Sequence, residues 1–205
     1  MTFLRTVVLV GLLLALAGPA AGQSCEEFMG LPPVGQWAEW RGGPGQAGRV
    51  RIALLSQETR QGRTFLRSEM RMVDAGRTVI VQSLATIDPP VLVEEMILKR
   101  GTEAAVKLPR AMMNLAAAAS QSNPGRAACT GNLVLVGPES VTVPAGTFAA
   151  VKFRDPRGAY FWFSTQVPFA LAKGQSETGE ELVLAGYGSN AASEITETPV
   201  EAPER

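Results

Sequence analysis

The feature that most constrains this chain is an alternation of side chains with a period of two, interrupted at short intervals by glycine-containing turns. In RVRIALLSQE (Arg49–Glu58), Val50, Ile52 and Leu54 point to one face and the residues between them to the other. Asp74–Arg77 (DAGR) is typical of a tight turn, with a glycine where positive φ is tolerated. Short turns favour an antiparallel meander, because parallel strands need crossover helices.

The same pattern predicts strands along most of the chain. They cover 35–41, 49–58, 63–73, 78–86, 91–101, 132–137, 139–143, 146–155, 159–164, 169–176 and 181–188, with 189–195 extending the last one. The fold class predicted is mainly β: a curved antiparallel sheet or an incomplete β-barrel. We expect a single β domain over 23–195, followed by a disordered tail over 196–205, which is rich in Glu, Pro and Thr.

One stretch departs from this alternation. PRAMMNLAAAASQS (109–122) is rich in Ala, Met and Leu, which favour helix, and Asn123-Pro124-Gly125 would end it. The sequence therefore predicts one covering helix around 110–122. It is either a connector that covers one face of the sheet, or a lid over a cavity in which Met adapts to an irregular ligand.

The N-terminus has the pattern of a signal peptide. Arg5 precedes the apolar run Val7–Ala17, and small residues at Ala20 and Gly22 predict cleavage after Gly22, so that 1–22 is removed. An uncleaved anchor is the alternative. Before Cys25 the Leu of a lipidation signal is missing and Gln23 is large and polar, so we do not expect lipidation. The protein is expected to be periplasmic or secreted, with no membrane span in the mature chain.

The two cysteines, Cys25 and Cys129, are expected to form a disulfide, because exported proteins meet an oxidising compartment. In the chain-entropy model a loop of about 100 residues closed in this way contributes about 4–5 kcal/mol. A redox pair is the alternative, but nothing in the sequence predicts a lowered thiol pKa.

Composition excludes several classes of function. The chain has 19 basic and 19 acidic residues with no basic block, so a nucleic-acid partner is not expected. It has no histidine, which excludes Ser-His-Asp and Cys-His catalysis and His-ligated zinc. Asp74, Asp88 and Asp155 lie in separate turns, so no metal site and no cofactor are predicted.

The region 139–188 carries a resemblance. VTVPAGTFAAVKF (141–153), an aromatic strand ending in Ser164, VPFALAK (167–173) and LVLAGYG (182–188) look like a pattern of uncharacterised exported bacterial β-proteins. Their layout is similar to that of the periplasmic lipoprotein-carrier (LolA/LolB-like) class. The resemblance implies an incomplete barrel with helical cover and a hollow for acyl chains. The candidate ligand-pocket residues that it implies are Met112, Met113, Tyr160 and Trp162.

The row Tyr160–Phe163 is apolar on both faces of its strand. This fits a strand buried on both sides, and it fits equally a strand that lines a lipid-binding hollow. Three functions stay open: an exported non-enzymatic protein that binds or carries a lipid or other apolar ligand, a structural or interaction module of the cell envelope with an envelope protein as partner and no ligand, and a histidine-free hydrolase.

Overall fold

The structure is a computed structural model that describes Phe28, residues 30–42, 48–87 and 91–110, Met113 and residues 133–202. The predicted signal peptide, Cys25, Cys129, Met112 and the predicted turn at 88–90 lie outside the described residues. The disulfide and the cleavage site therefore stay predictions. Among the described residues, no helix is long and apolar enough to cross a membrane.

Within the described residues, twelve strands form one sheet. Their bounds are β1 Trp37–Gly42, β2 Arg49–Arg60, β3 Arg63–Asp74, β4 Arg77–Thr86, β5 Val93–Arg100, β6 Val106–Lys107, β7 Val134–Val143, β8 Gly146–Arg154, β9 Tyr160–Phe163, β10 Leu171–Gln175, β11 Glu181–Gly188 and β12 Val200–Glu201. The order across the sheet is β12-β6-β5-β4-β3-β2-β1-β11-β10-β9-β8-β7. The predicted mainly β fold, a curved antiparallel sheet or incomplete barrel, is confirmed.

Tight turns explain the regularity of the first meander. Gln61 and Gly62 join β2 to β3, and Ala75 and Gly76 join β3 to β4. All four have positive φ, as in the two-residue turns whose twist matches that of the flanking strands. Each strand can then pair with the next one in the chain, and β1 bridges this meander to β11 of the second one.

The second meander, β7 to β11, curls back on itself. The edge strand β7 approaches β10 and β11, which are not its neighbours in the sheet. The backbone N–H of Ala145, in the turn between β7 and β8, donates to the carbonyl of Leu184 on β11 at 3.2 Å. The sheet is therefore strongly curved at this end but keeps two open edges, β12 and β7.

Two apolar clusters pack on opposite faces of the curled end, as the aromatic row of β9 predicts. The Trp162 cluster contains the buried residues Ala38, Trp40, Val141, Val143, Phe148, Ala150, Trp162, Val167, Ala172 and Leu184. The Phe163 cluster contains the buried residues Phe28, Phe153, Phe163 and Ala170. Alternate residues of one short strand thus support two packed layers.

Two strands differ from the sequence-based expectation. The segments 132–137 and 139–143 are not two strands: β7 is continuous, with a bulge at Gly137, whose φ is +144°. A bulge lets a strand absorb an extra residue while its partner β8 continues. The two-residue strand β6 has no alternation long enough to predict it. Only Arg110 and Met113 of the predicted helix are described, both as helical, and the N–H of Met113 donates to the carbonyl of Pro109 at 3.1 Å.

The C-terminal expectations are corrected as well. Residues 189–195 do not extend β11, which ends at Gly188. Within the tail predicted to be disordered, Val200–Glu201 form β12 and pair in parallel with β6. Composition could not predict this, because the pairing depends on a partner that is distant in the sequence.

Candidate functional site

Trp162 and Tyr160, two of the predicted pocket residues, lie side by side on β9 with ring centroids 6.1 Å apart. The Trp162 side chain is buried in the Trp162 cluster, and its indole Nε1 donates to Glu139 Oε2 at 3.2 Å. The ammonium nitrogens of Lys152 and Lys173 lie over its ring, 4.6 Å and 5.1 Å from the ring centroid.

These two lysines are held by ion pairs. Lys152 pairs with Glu139 at 3.4 Å and Lys173 with Glu181 at 2.6 Å. The aliphatic parts of these lysines cover the aromatic ring, while their ammonium groups pair with carboxylates. The Trp162 ring is therefore covered by side chains, and Trp162 does not line the concavity described below.

Met113 is buried, with 4% of its surface exposed, and lies in the first turn of the predicted helix. It belongs to neither cluster. Met112 lies outside the described residues. Of the three predicted pocket residues that the structure describes, Tyr160 and Trp162 lie side by side, and the pocket that the four would form stays a prediction.

A different concavity lies at the curled end, and we call it the loop groove. It has a volume of about 540 Å³ and is lined by Phe28, residues 30–33, Gln36, residues 165–170 and residues 187–189. The lining comes from three segments: the chain before β1, the loop between β9 and β10, and the end of β11. The sequence gives no local pattern that could identify it, because the three segments meet only in the folded sheet.

One wall of the loop groove is the strained turn before β10. Phe169 and Ala170 have φ of +59° and +60°, which bulky residues rarely adopt. The N–H of Leu171 donates to the carbonyl of Phe169 at 2.8 Å, which closes a γ-turn around Ala170. Such a conformation persists only where the surroundings determine it, and it is concentrated at functional sites.

Trp40 is the side chain that holds this turn. Its ring lies edge-on to Phe169, with centroids 6.3 Å apart. Its indole Nε1 donates to the carbonyl of Leu171 at 2.8 Å. The backbone N–H of Ser164 donates to the carbonyl of Ala170 at 2.8 Å and closes the loop from the other side. The wall is therefore fixed before any ligand arrives.

The opposite wall is the segment that precedes β1. Pro32 and Pro33 have no N–H to satisfy, so an extended backbone can lie there without a partner strand. Gly35 anchors the segment: its N–H donates to the carbonyl of Leu54, and its carbonyl accepts from Ala191, each at 2.7 Å. Among the lining residues, Leu31 is 55% exposed and Tyr187 is 41% exposed, so both can be reached from solvent.

The chemistry of the loop groove is apolar with a few neutral polar groups. None of the described residues that line it is charged, and its polar side chains are hydroxyls and amides such as Thr165 and Gln36. Among the described residues, no group of three or more His, Cys, Asp or Glu side chains could hold a metal ion. The lining suits an uncharged, largely apolar occupant.

A described carboxyl with a shifted pKa is Asp155, in the turn between β8 and β9. Burial alone would raise its pKa, but backbone N–H groups of Ala159, Gly158 and Arg157 outweigh that effect and hold the pKa of the carboxyl below its ordinary value of 3.8. Ala159 and Arg157 donate to Oδ1 at 2.8 and 2.9 Å. Asp155 is therefore an ionised turn residue, and it is not among the residues that line the groove.

No protein-family model matches the chain, and no curated protein sequence matches it. Three solved structures are distantly similar. A protein of Bacteroides fragilis described as exported, with a YmcC-like fold, is 12% identical and aligns with a TM-score of 0.42 over 79% of this chain and 99% of its own. A protein of Parabacteroides distasonis described as a lipoprotein is 12% identical, with a TM-score of 0.36 over 78% of this chain and 98% of its own.

The third is MucB, in a complex with MucA(peri). It is 10% identical and aligns with a TM-score of 0.39 over 80% of this chain and 53% of its own. None of the three is named as a lipoprotein carrier, so the resemblance to that class stays a prediction.

Proposed function

We propose that this chain is an exported, non-enzymatic binding protein of the bacterial envelope that holds an uncharged apolar ligand, such as a lipid chain, in the loop groove. The observation that carries the proposal is the uncharged lining of that groove, with a volume of about 540 Å³. Ligand sites are typically concave, mostly apolar and about 300–1,000 Å³ in volume.

The polarity of the lining restricts the ligand. Burying a carboxylate or phosphate without a counter-charge costs several kcal/mol, unless the group takes up a proton and becomes neutral. The described lining offers no cation, so the part of the ligand inside the groove is neutral. One or two hydroxyl, ester or amide groups can be bound by Thr165, Gln36 or Gln166. A charged head group would remain at the mouth, in water.

The groove is also pre-formed. Trp40 fixes the Phe169 wall, and Gly35 fixes the Pro32–Pro33 wall, by the hydrogen bonds described above. Few side chains and loops then have to become ordered on binding, so little of the binding free energy is lost to ordering. Catalysis is not part of the proposal, since hydroxyls and amides without an adjacent base do not activate a nucleophile.

The second candidate is an interaction module without a ligand. One observation supports it: the ten buried residues of the Trp162 cluster pack together at the curled end, as in a filled core. Under this alternative, Leu31 and Tyr187 would be contacts for an envelope protein. The two candidates differ in whether the isolated mature chain takes up a small apolar molecule.

The test is binding of the neutral dye N-phenyl-1-naphthylamine, whose fluorescence rises in apolar sites. We expect Leu31→Asn and Tyr187→Asn each to weaken binding about 10-fold, since about 1.4 kcal/mol of contact is lost. Leu92→Asn and Val134→Asn are matched controls, because both residues are exposed and apolar but lie outside the groove. A neutral monoacylglycerol should displace the dye better than the corresponding fatty acid does.

Absence of dye binding to the unmodified chain, or equal losses in groove and control variants, would favour the interaction module. Export is tested separately by the intact mass of the protein from a periplasmic extract without reductant. Cleavage after Gly22 and a bond between Cys25 and Cys129, which removes two hydrogens, are the expected results.

A further inference from the structure

The chain after β11 crosses one face of the first meander from side to side, and we call residues 189–202 the C-terminal strap. It begins beside Gly35, where Ala191 donates to the Gly35 carbonyl at 2.7 Å. It passes Glu69 on β3 and Lys99 on β5. It ends on β6, where Val200 donates to the carbonyl of Ala105 at 2.9 Å. The strap thus reaches the far edge of the sheet.

The charges of the strap and of the sheet face are complementary. The strap carries three charged residues, all of them glutamates, and each one pairs with basic residues of the sheet. Glu194 lies 3.3 Å from Arg51 and 3.6 Å from Arg71. Glu197 lies 2.6 Å from Lys99, and Glu201 lies 3.4 Å from Lys107. The sheet face therefore recognises an extended chain with carboxylates at intervals of three and four residues.

The strap is attached by polar contacts, not by burial. Its residues are half-buried or exposed, and none of them is fully buried. Exposed ion pairs contribute little individually and are weakened by salt. The strand β12 contributes two paired residues, whereas β2 and β3 pair along most of their length. The strap can therefore leave without opening either apolar cluster.

The surface beneath the strap contains buried polar and apolar side chains. Glu69, which is 1% exposed, accepts from the Ser193 hydroxyl at 2.8 Å and from the Glu194 N–H at 3.1 Å. The register places the buried Ile80 and Ile97 on the same face, as cross-strand partners of Lys99 and Gln82. The centre of this face thus combines buried isoleucines with the buried polar side chains of Glu69 and Gln82, and its rim is charged, as the rims of protein interfaces are polar.

We propose that this face is the docking site for an extended acidic segment of a partner protein, and that the strap occupies the site until the partner displaces it. The partner segment lies across β3 and β5, places its carboxylates on Arg51, Arg71, Lys99 and Lys107, and pairs with β6 as an added strand. Because the strap and the partner compete, weakening the strap raises the affinity for the partner. This inference does not depend on the loop groove.

The test uses a fluorescent peptide with the sequence of Ser193–Ala202, SEITETPVEA, as the acidic extended probe. Three full mature chains are compared by fluorescence anisotropy. They are the unmodified chain, a strap variant with Glu194→Gln, Glu197→Gln and Glu201→Gln, and a control variant with Glu103→Gln, Glu177→Gln and Glu180→Gln. The control removes the same charge at glutamates that form no ion pair in the described residues.

We expect the strap variant to bind the peptide at least 10-fold more tightly than the unmodified and control chains. Binding should weaken with salt, and a peptide with glutamine at the three positions should bind at least 10-fold more weakly. Thermal unfolding of all three chains checks that they are folded. Equal affinity in the three chains, equal affinity of the two peptides, or no binding at all would overturn the proposal.

A further outcome also counts against it. If the strap variant or the unmodified chain forms a dimer by light scattering, and the peptide dissociates that dimer, then the site exchanges straps between two copies of this chain. A monomer that binds the acidic peptide supports a partner of another kind.

Discussion

At the scale of single residues, two glycines require the absence of a side chain for different reasons. Gly76 has a φ of +77°, and a Cβ built on it would meet no heavy atom within 4 Å, so its requirement is conformational. Gly42 has a φ of +110°, and its Cβ would lie 1.9 Å from the carbonyl oxygen of Glu181 on β11. There the backbone of the neighbouring strand occupies the space.

We therefore expect Gly76→Ala to lower the free energy of unfolding by about 1–2 kcal/mol, the usual cost of the left-handed conformation. Gly42→Ala should cost about 3 kcal/mol or more, because β1 and β11 must also separate. Urea denaturation of both variants measures the difference. Equal losses would mean that β1 does not pack against β11 as closely as described.

Asp155 gives a prediction with a defined pH dependence. The pKa of its carboxyl is lower in the folded chain than its ordinary value of 3.8. The stabilisation from its ionised form is thus complete above that value and is lost as the pH falls through the folded pKa. Asp155→Ala should lower the free energy of unfolding by about 1–3 kcal/mol at pH 7. The difference between the two chains should shrink below pH 3.8, and a constant difference from pH 7 to pH 3 would contradict the account.

At the scale of elements, alternation identified strands such as β4 and β8, whose two faces differ in burial, whereas β9 was identified by an aromatic row that is apolar on both faces. It failed where a strand has two residues, as in β6 and β12, since two residues have no period. The tail prediction failed for a related reason. Residues 196–202 have a composition typical of disorder, but their order comes from Lys99, Lys107 and the β6 backbone.

The strap itself should loosen in acid. A hydrogen bond from Lys99 is the main reason that the pKa of Glu197 lies below its ordinary value of 4.5. The contribution of the ionised Glu197 carboxylate to strap attachment is therefore present above pH 4.5 and is lost as the pH falls further. Hydrogen exchange at the amides of Val200 and Ala202, corrected for the intrinsic pH effect, should show weaker protection at pH 3.5 than at pH 6. Glu197→Gln should remove this difference.

At the scale of the whole molecule, the curvature of the sheet was predictable and the loop groove was not. The groove brings together Phe28, residues 30–33, Gln36, residues 165–170 and residues 187–189. Its shape depends on a positive φ at Phe169, a residue type that rarely adopts it. Trp162 is a pocket candidate through the resemblance of 139–188 to the carrier class. Lys152 and Lys173 contact its ring, and its place in a ligand pocket stays a prediction.

The central claim is that the isolated mature chain holds an uncharged apolar ligand in the loop groove. Native mass spectrometry of the chain, before and after incubation with a bacterial lipid extract, tests it most directly. The account predicts a lipid-sized adduct on the unmodified chain that gentle activation releases, and much less adduct on a chain with Leu31→Asn and Tyr187→Asn. A bare mature chain after incubation, or an equal adduct on both chains, would contradict it.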